Sequence, residues 1–541
     1  MLGSSPAVAR LAAAATDPAQ AYVEARAAAM NGEHVRSATL LATLAQTQPD
    51  QPDLARKALN EAIGSGQMDL ALGLAQKVPP AKLSNEARLL LAADAVKRNH
   101  IDRAQQWLSV KSEAGDLSFL EPLLAAWDAA QRGDLNGALQ TIDHVPASGL
   151  LNPLSSEERA FILLKFRRAA DAEPFARRAI GAGGARENRL RLALADGFLA
   201  AGDRARAIAM IEGMGADASV ARQRVLAGKQ SGQAIDTPAA ALSEALTAFS
   251  ADIARIQRAA PPIGLVQVAR FANPQNSSAT ALLALLLASQ DRVDEALALL
   301  RTVPASDAMS SSTRDAAVKI LTDNKRFNEA YSIAATAATA PGAGISDFSR
   351  MGDVLGAMKR DSDAANAYGR AVAMARAQGL KADLWPLLLL QANSLEQGNR
   401  WPEAKQALKE ALTIAPEQPL LLNFMGYAQL ERGENIDSAE AMIRKASQLA
   451  PDDASITDSL GWAQFKRGKV AEAIATLQTA AEKDPDQAEI QEHLGDALFK
   501  SGRRFEARFA WEAALVTAEN DIAGRVKAKL TYGLSPANAA P

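Results

Sequence analysis

The chain has 541 residues and no cysteine. Disulfides, thiolate nucleophiles, zinc–thiolate sites and lipid-anchored cysteines are excluded for the sequence as written. Histidine is almost as scarce. His34, His100, His144 and His493 are scattered, with no His-x-x-x-His pair and no carboxylate triad beside them, so no metal site is expected. Aromatic residues make up 5% of the chain. A composition rich in alanine and poor in rings suits closely stacked helices. Neither sign of charge dominates: 59 Lys and Arg stand against 62 Asp and Glu, for a net charge of −3. That balance argues against a dedicated nucleic-acid binder. No apolar run approaches the roughly 18 residues of a membrane span. The apolar stretch from Ala281 to Ala288 fits a buried helix instead.

Catalytic signatures are missing too. Gly181-Ala182-Gly183-Gly184 falls between two helical segments with no strand before it, which does not make a phosphate cradle. There is no Gly-x-Ser-x-Gly elbow and no P-loop. The sequence therefore points to a non-enzyme without cofactor. The N-terminus, MLGSSPAVARLAAAATDPAQ, lacks the basic start and apolar middle of a secretory signal and reads as a frayed first turn. As written, the chain is expected to be soluble and cytoplasmic. An export signal upstream would place it in the periplasm or at the envelope.

What the sequence does have is a period. Gly426, Gly461 and Gly495 stand 35 and 34 residues apart, Ala439, Ala473 and Ala507 stand 34 and 34 apart, and Pro416, Pro451 and Pro485 stand 35 and 34 apart. In the central copy, Ala454 to Lys466 predict a first helix and Val470 to Glu482 a second. Arg467-Gly468-Lys469 is so short that the two must fold back antiparallel. Ala473, Leu477 and Ala480 form one stripe on the second helix, facing Leu460 and Gly461 of the first. Gly461 and Ala473 are small because the two backbones approach closely. Pro485 cannot continue the helix, and Asp486 with Glu489 is placed to cap the next one.

The position of Ala473 can be followed backward through Ala38, Ala71, Ala104, Ala138, Ala172, Ala207, Ala296, Ala330, Ala364, Ala404 and Ala439, and forward to Ala507. The steps are 33, 33, 34, 34, 35, 89, 34, 34, 40, 35, 34 and 34. Most of these alanines follow a polar turn, such as GDRARA or NKRFNEA. The pattern is a turn and then a second helix, repeated.

A period of about 34 residues with small side chains at fixed places resembles the tetratricopeptide repeat (TPR) superfamily. The wording MGYAQLERGE, TDSLGWAQFKRGK and EHLGDALFKSGRRFEA is also similar to the C-terminal part of a group of bacterial multi-TPR proteins. The resemblance implies an all-α superhelical solenoid of about 13–14 helical hairpins. The expected organisation is a disordered or frayed start (1–16), a degenerate N-terminal solenoid (17–213), an irregular helical joint (214–275), a middle segment (276–378), a regular C-terminal array with a capping helix (379–534) and a disordered tail (535–541). The joint contains a long amphipathic helix from Pro238 to Ile256, and a hinge and a rigid helix pair are equally open there. The cluster Arg167, Arg168, Arg177, Arg178, Arg186, Arg189 and Arg191 reads as outer helix faces with local acidic partners, in preference to a basic groove.

In the resembled superfamily the first helices line a concave wall, and residues one and four after each glycine point into it. The resemblance thus places Tyr427, Leu430, Trp462, Phe465, Asp496 and Phe499 on a partner-binding face, with Asn423, Asp458 and Glu492 one turn earlier. Some members clamp a C-terminal carboxylate with Lys and Asn. Asn393 and Asn423 match the asparagines, but Leu389, Ser455 and Ser459 stand where the basic residues belong, so that ligand is not expected. The function implied is a scaffold that holds a protein or peptide with apolar anchors and a basic group. The alternative is a regulatory component of a bacterial envelope or polysaccharide-related complex.

Overall fold

The computed structural model describes residues 17–212, 214, 219–257 and 262–540. The expected frayed N-terminus lies outside them. Among the described residues there are thirty α-helices and no strand. Twenty-six helices form thirteen antiparallel hairpins, and Ser219–Leu226, Pro238–Gln257, Ile263–Ala272 and Asn520–Tyr532 stand apart from these. The fold is all-α and made of repeated hairpins, as the period predicts.

The alanine trace holds at every step. All thirteen alanines from Ala38 to Ala507 lie in second helices, and each is 0% exposed. The glycines mark the matching contact on the first helices. A Cβ on Gly461 would sit 2.6 Å from Leu477 Cγ, and one on Gly426 would sit 2.7 Å from the Ala439 carbonyl oxygen. At Gly495 it would run into the Trp511 ring. Each hairpin turn also contains a residue in the left-handed region. Seven of these are glycine, for instance Gly468 at φ +75°, and the others include Arg167 (58°), Lys325 (59°) and Lys359 (59°). The reversal needs that conformation to aim the next amide back at the end of the first helix, as Lys469 N–H does on the Gln464 carbonyl at 2.9 Å.

Some local expectations change. The helix after Pro485 starts at Ala488 with Gln487 as its cap residue, and no side chain caps it. Asp486 instead accepts a bond from the Thr517 hydroxyl through its backbone oxygen. The insertion behind the 40-residue step is absorbed as length: Asp361–Ala377 and Lys381–Gln397 are both 17-residue helices.

The chain divides into two compact units, Met1–Arg350 and Met351–Pro541. The division falls inside the helix Ile345–Ala357, not at residues 214–275.

In the first unit, the segment that breaks the rhythm runs back along the first helices of the preceding hairpins. Its start is held by Asp196, whose carboxylate accepts the Ser231 hydroxyl at 2.9 Å and the Gln233 amide at 2.7 Å. Lys165 donates to the Asp236 carbonyl. Further on, Lys97 donates to the Phe271 carbonyl, and Gly264 lies against Glu86 and Ile63. The helix Pro238–Gln257 is not amphipathic in its setting. Every residue from Ala240 to Ala248 is buried, Ser243 and Glu244 at 0% exposure. A helix buried all round belongs to a core. Arg186 and Arg189 reach Glu244 at 3.0 and 3.1 Å, and Arg186 also pairs with Glu157 at 3.0 Å. Three others of the seven-arginine cluster pair locally, Arg168 with Asp171, Arg177 with Glu173 and Arg191 with Glu187.

In the second unit, Asn520–Tyr532 packs on Ala488–Lys500 and Arg504–Thr517. The residues expected as a disordered tail are packed against it as far as they are described. Asn538 donates to the Gly533 carbonyl, Ala540 N–H bonds the buried Asp496 carboxylate at 3.1 Å, and Ala540 is 5% exposed.

Candidate functional site

The first helices of the second unit present equivalent positions side by side. Leu389, Asn423 and Asp458 occupy one position in three consecutive repeats, and Asn393, Tyr427 and Trp462 occupy the position one turn later. Between Lys381–Gln397, Pro419–Glu431 and Ala454–Lys466 lies an open cleft of about 440 Å3. Its apolar wall is Leu389, Leu390, Leu420 and Phe424, with Tyr427 beside them. Leu390 and Leu420 are 39% and 49% exposed. The polar wall is Asn393, Asn423, Ser455, Ser459 and Gln487. Among the described residues, the charged members of the lining are Asp458 and Glu489.

The polar wall is prearranged. Asn423 donates to the Ser459 hydroxyl at 3.2 Å, and its own amide oxygen is buried without a partner among the described residues. Ser455 reaches Gln487 at 3.3 Å. Asp458 is held from behind by His493 Nδ1 at 2.9 Å. Burial opposes a charged His493, but the carboxylate of Asp458 outweighs it, so the imidazole pKa stands above its ordinary value. Burial, followed by the carboxylates of Glu431, Glu489 and Asp458, raises the Tyr427 phenol far above its usual range. The cleft floor thus carries two carboxylates, Asp458 and Glu489, beside the Tyr427 phenol.

The structure sorts the sequence-predicted residues into two groups. Asn393, Asn423, Tyr427 and Asp458 come together in the cleft. The others do not reach it. Trp462 is 1% exposed, stacked between Phe465 at 4.8 Å and His493 at 4.0 Å. Leu430 is packed with Ala439, Ile443 and Ala463. Phe465 and Phe499 are partly buried against the core formed by Leu477, Leu498 and Trp511. Glu492 and Asp496 are 0% exposed and bind Lys529 of the capping helix, at 2.7 Å each. These six side chains are covered by the next repeat or the cap, which spacing within one repeat does not reveal. Leu390, Leu420 and Phe424 were not among the sequence-predicted site residues, and Glu489, expected as a capping partner, lines the cleft instead. Leu420 and Phe424 carry a readable signal, apolar residues one turn apart at the start of a first helix.

A family model for the TPR repeat matches residues 461–502, from the close-contact glycine of one hairpin to the turn of the next. The same helix, turn and contact recur in the other hairpins. Residues 461–502 are thus a tetratricopeptide repeat. Among solved structures, the chain is similar to the APC/C hetero-tetramer Cut9–Hcn1 at 14% identity, over 96% of this chain and 97% of that one, with a TM-score of 0.37. It is also similar to a tetratricopeptide repeat protein from Parabacteroides merdae at 15% identity, over 47% and 98%, with a TM-score of 0.39. No curated protein matches it. Among the described residues no helix is long and apolar enough to cross a membrane, and no group of His, Asp and Glu could hold a metal ion. TPR folds serve in general as protein-interaction scaffolds.

Proposed function

We propose that the Met351–Pro541 unit is a non-enzymatic scaffold that binds a peptide segment of a partner protein in the cleft between residues 389 and 489. The observation that carries this is the pairing, among the described residues, of exposed leucines with carboxylates and no cation in one concavity. The exposed leucines gain by leaving water, and the carboxylates keep their charge only against a cation. Apolar anchors of the segment cover Leu390, Leu420 and Phe424. A Lys or Arg one or two turns away meets Glu489 and Asp458, while Asn423, Ser455 and Tyr427 bond its backbone or polar side chains. A cleft of about 440 Å3 takes one or two side chains, not a whole peptide. An affinity of about micromolar is expected for an isolated segment.

Peptide display against the purified chain tests this. Enriched sequences are expected to combine two apolar residues with a Lys or Arg, and to lose binding to Leu420→Arg and to Glu489→Lys. Both side chains are exposed, so neither change should unfold the unit. Enrichment of acidic sequences, or binding indifferent to both variants, would sink the proposal. Trp462→Ala is unsuitable as a probe, because it empties a core position.

A further inference from the structure

The last second helix of the Met351–Pro541 unit, Arg504–Thr517, is apolar on two faces. Inward it packs Ala507, Ala510, Trp511 and Ala514 into the core. Outward it exposes Phe505, Phe509 and Val516, at 74%, 58% and 81%. Phe505 and Phe509 meet edge to face at 5.0 Å. Residues four and seven apart lie on one helical stripe, so these three form a line that the unit's own core does not need. Exposed aromatic lines of this kind mark contact surfaces. The stripe is flanked by Arg508 and Glu512, 3.9 Å apart and each 54% exposed. Arg508 is also fixed along the helix by its bond to the Leu530 carbonyl.

We propose that this stripe is the contact between two copies of the chain, related by a two-fold axis that crosses the helix near residue 510. The order of the charges selects this occupant. Read antiparallel, Arg followed by Glu becomes Glu followed by Arg. Arg508 of each copy then faces Glu512 of the other. A parallel arrangement would set like against like. Phe509 of both copies meets at the axis, and Phe505 of each lies towards Val516 of the other. The surface is thus complementary to itself, which an isologous contact requires and an unrelated partner does not. The inference is independent of the cleft, which lies on the first helices.

Sedimentation velocity of the full chain over a range of concentrations tests it. Wild type is expected to show a monomer–dimer equilibrium. The double variant Phe505→Ser, Phe509→Ser is expected to be monomeric with an unchanged thermal melt, since both rings are exposed. Arg508→Glu and Glu512→Arg alone should each weaken the dimer roughly tenfold or more, and the two together should restore it. A wild type that is monomeric up to its solubility limit, a dimer that survives loss of both phenylalanines, or a charge swap no better than either single change overturns the proposal.

Discussion

The hairpin turns show how a single residue carries the repeat. Each turn uses at least one left-handed residue, and an L side chain with a Cβ is strained there by roughly 1–2 kcal/mol. Lys325 and Lys359 hold that conformation at φ 59° without glycine. Lys325→Gly and Lys359→Gly are expected to stabilise the chain by about 0.5–1 kcal/mol each, after the larger unfolded-state entropy of glycine is subtracted. Gly468→Ala, at φ +75° with nothing near its missing Cβ, should cost about 1 kcal/mol through the backbone alone. Gly461→Ala acts differently. Its Cβ would lie 2.6 Å from Leu477 Cγ, so a loss of about 1–3 kcal/mol by overpacking is expected. Urea unfolding of the four variants separates the two causes. A stabilising Gly461→Ala would contradict the close approach of the two helices. These glycines and the buried alanines were legible in the sequence, because a contact between two helices of one hairpin repeats with the hairpin. Trp462 was not. Its cover comes from His493 of the following repeat, and a stacking partner one repeat away leaves no mark on the spacing.

At the scale of elements, the informative piece is the helix Pro238–Gln257. Its existence was legible, since the alanine trace skips 89 residues there. Its position was not, because it is fixed by contacts such as Arg189 with Glu244, 55 residues apart in sequence. The cost of that position shows at the carboxylates beneath it. Glu157, Glu158 and Glu244 share two guanidiniums, Arg186 and Arg189. Burial, eased by Arg186, leaves Glu157 with a pKa of about 7. Burial and then the Glu157 charge push Glu158 well above its ordinary value, which favours its neutral form; its carboxyl accepts the Trp127 indole N–H at 2.6 Å. A carboxyl whose pKa is higher folded than unfolded stabilises fully below its unfolded pKa, near 4.5. That contribution is lost as pH rises towards the folded value, by about 1.4 kcal/mol for each unit of difference. Glu158→Gln keeps the acceptor for Trp127 and cannot ionise. It is expected to raise the thermal midpoint at pH 8 and to change it little at pH 4. An equal shift at both pH values would show that Glu158 is not held neutral.

At the scale of the molecule, a repeat array is stable hairpin by hairpin, each resting on its neighbours, so the ends decide where unfolding starts. The face of Ala488–Lys500 that a following first helix would cover is buried by Asn520–Tyr532. Asn520–Tyr532 does so with charge rather than with apolar bulk alone. Lys529 is buried to 1% exposure and bonds Glu492 and Asp496 at 2.7 Å each, while Arg525 holds the other oxygen of Glu492 at 2.6 Å. The capping helix was expected from the sequence, but not that its Lys529 would reach back to the two carboxylates assigned to the partner-binding face. Replacing Lys529 by Met keeps the volume and removes the cation. Glu492 then keeps only Arg525 and the buried Asp496 loses its cation, and a broken buried network of this kind loses about 3–5 kcal/mol. The sign with pH follows from Glu492. Burial works against its charge, but Arg525 and Lys529 outweigh it and hold its pKa below the ordinary carboxylate value. Its contribution is complete above that ordinary value and disappears as pH falls through the folded one, so the gap between wild type and Lys529→Met should be widest near neutral pH and narrow in acid. The loss should also be local. Hydrogen exchange is expected to speed up first in Ala488–Lys500 and Asn520–Tyr532, with the amides of the Met1–Arg350 hairpins unchanged. Uniform acceleration along the whole chain would mean that the array unfolds as one body and that its end is not its weak point.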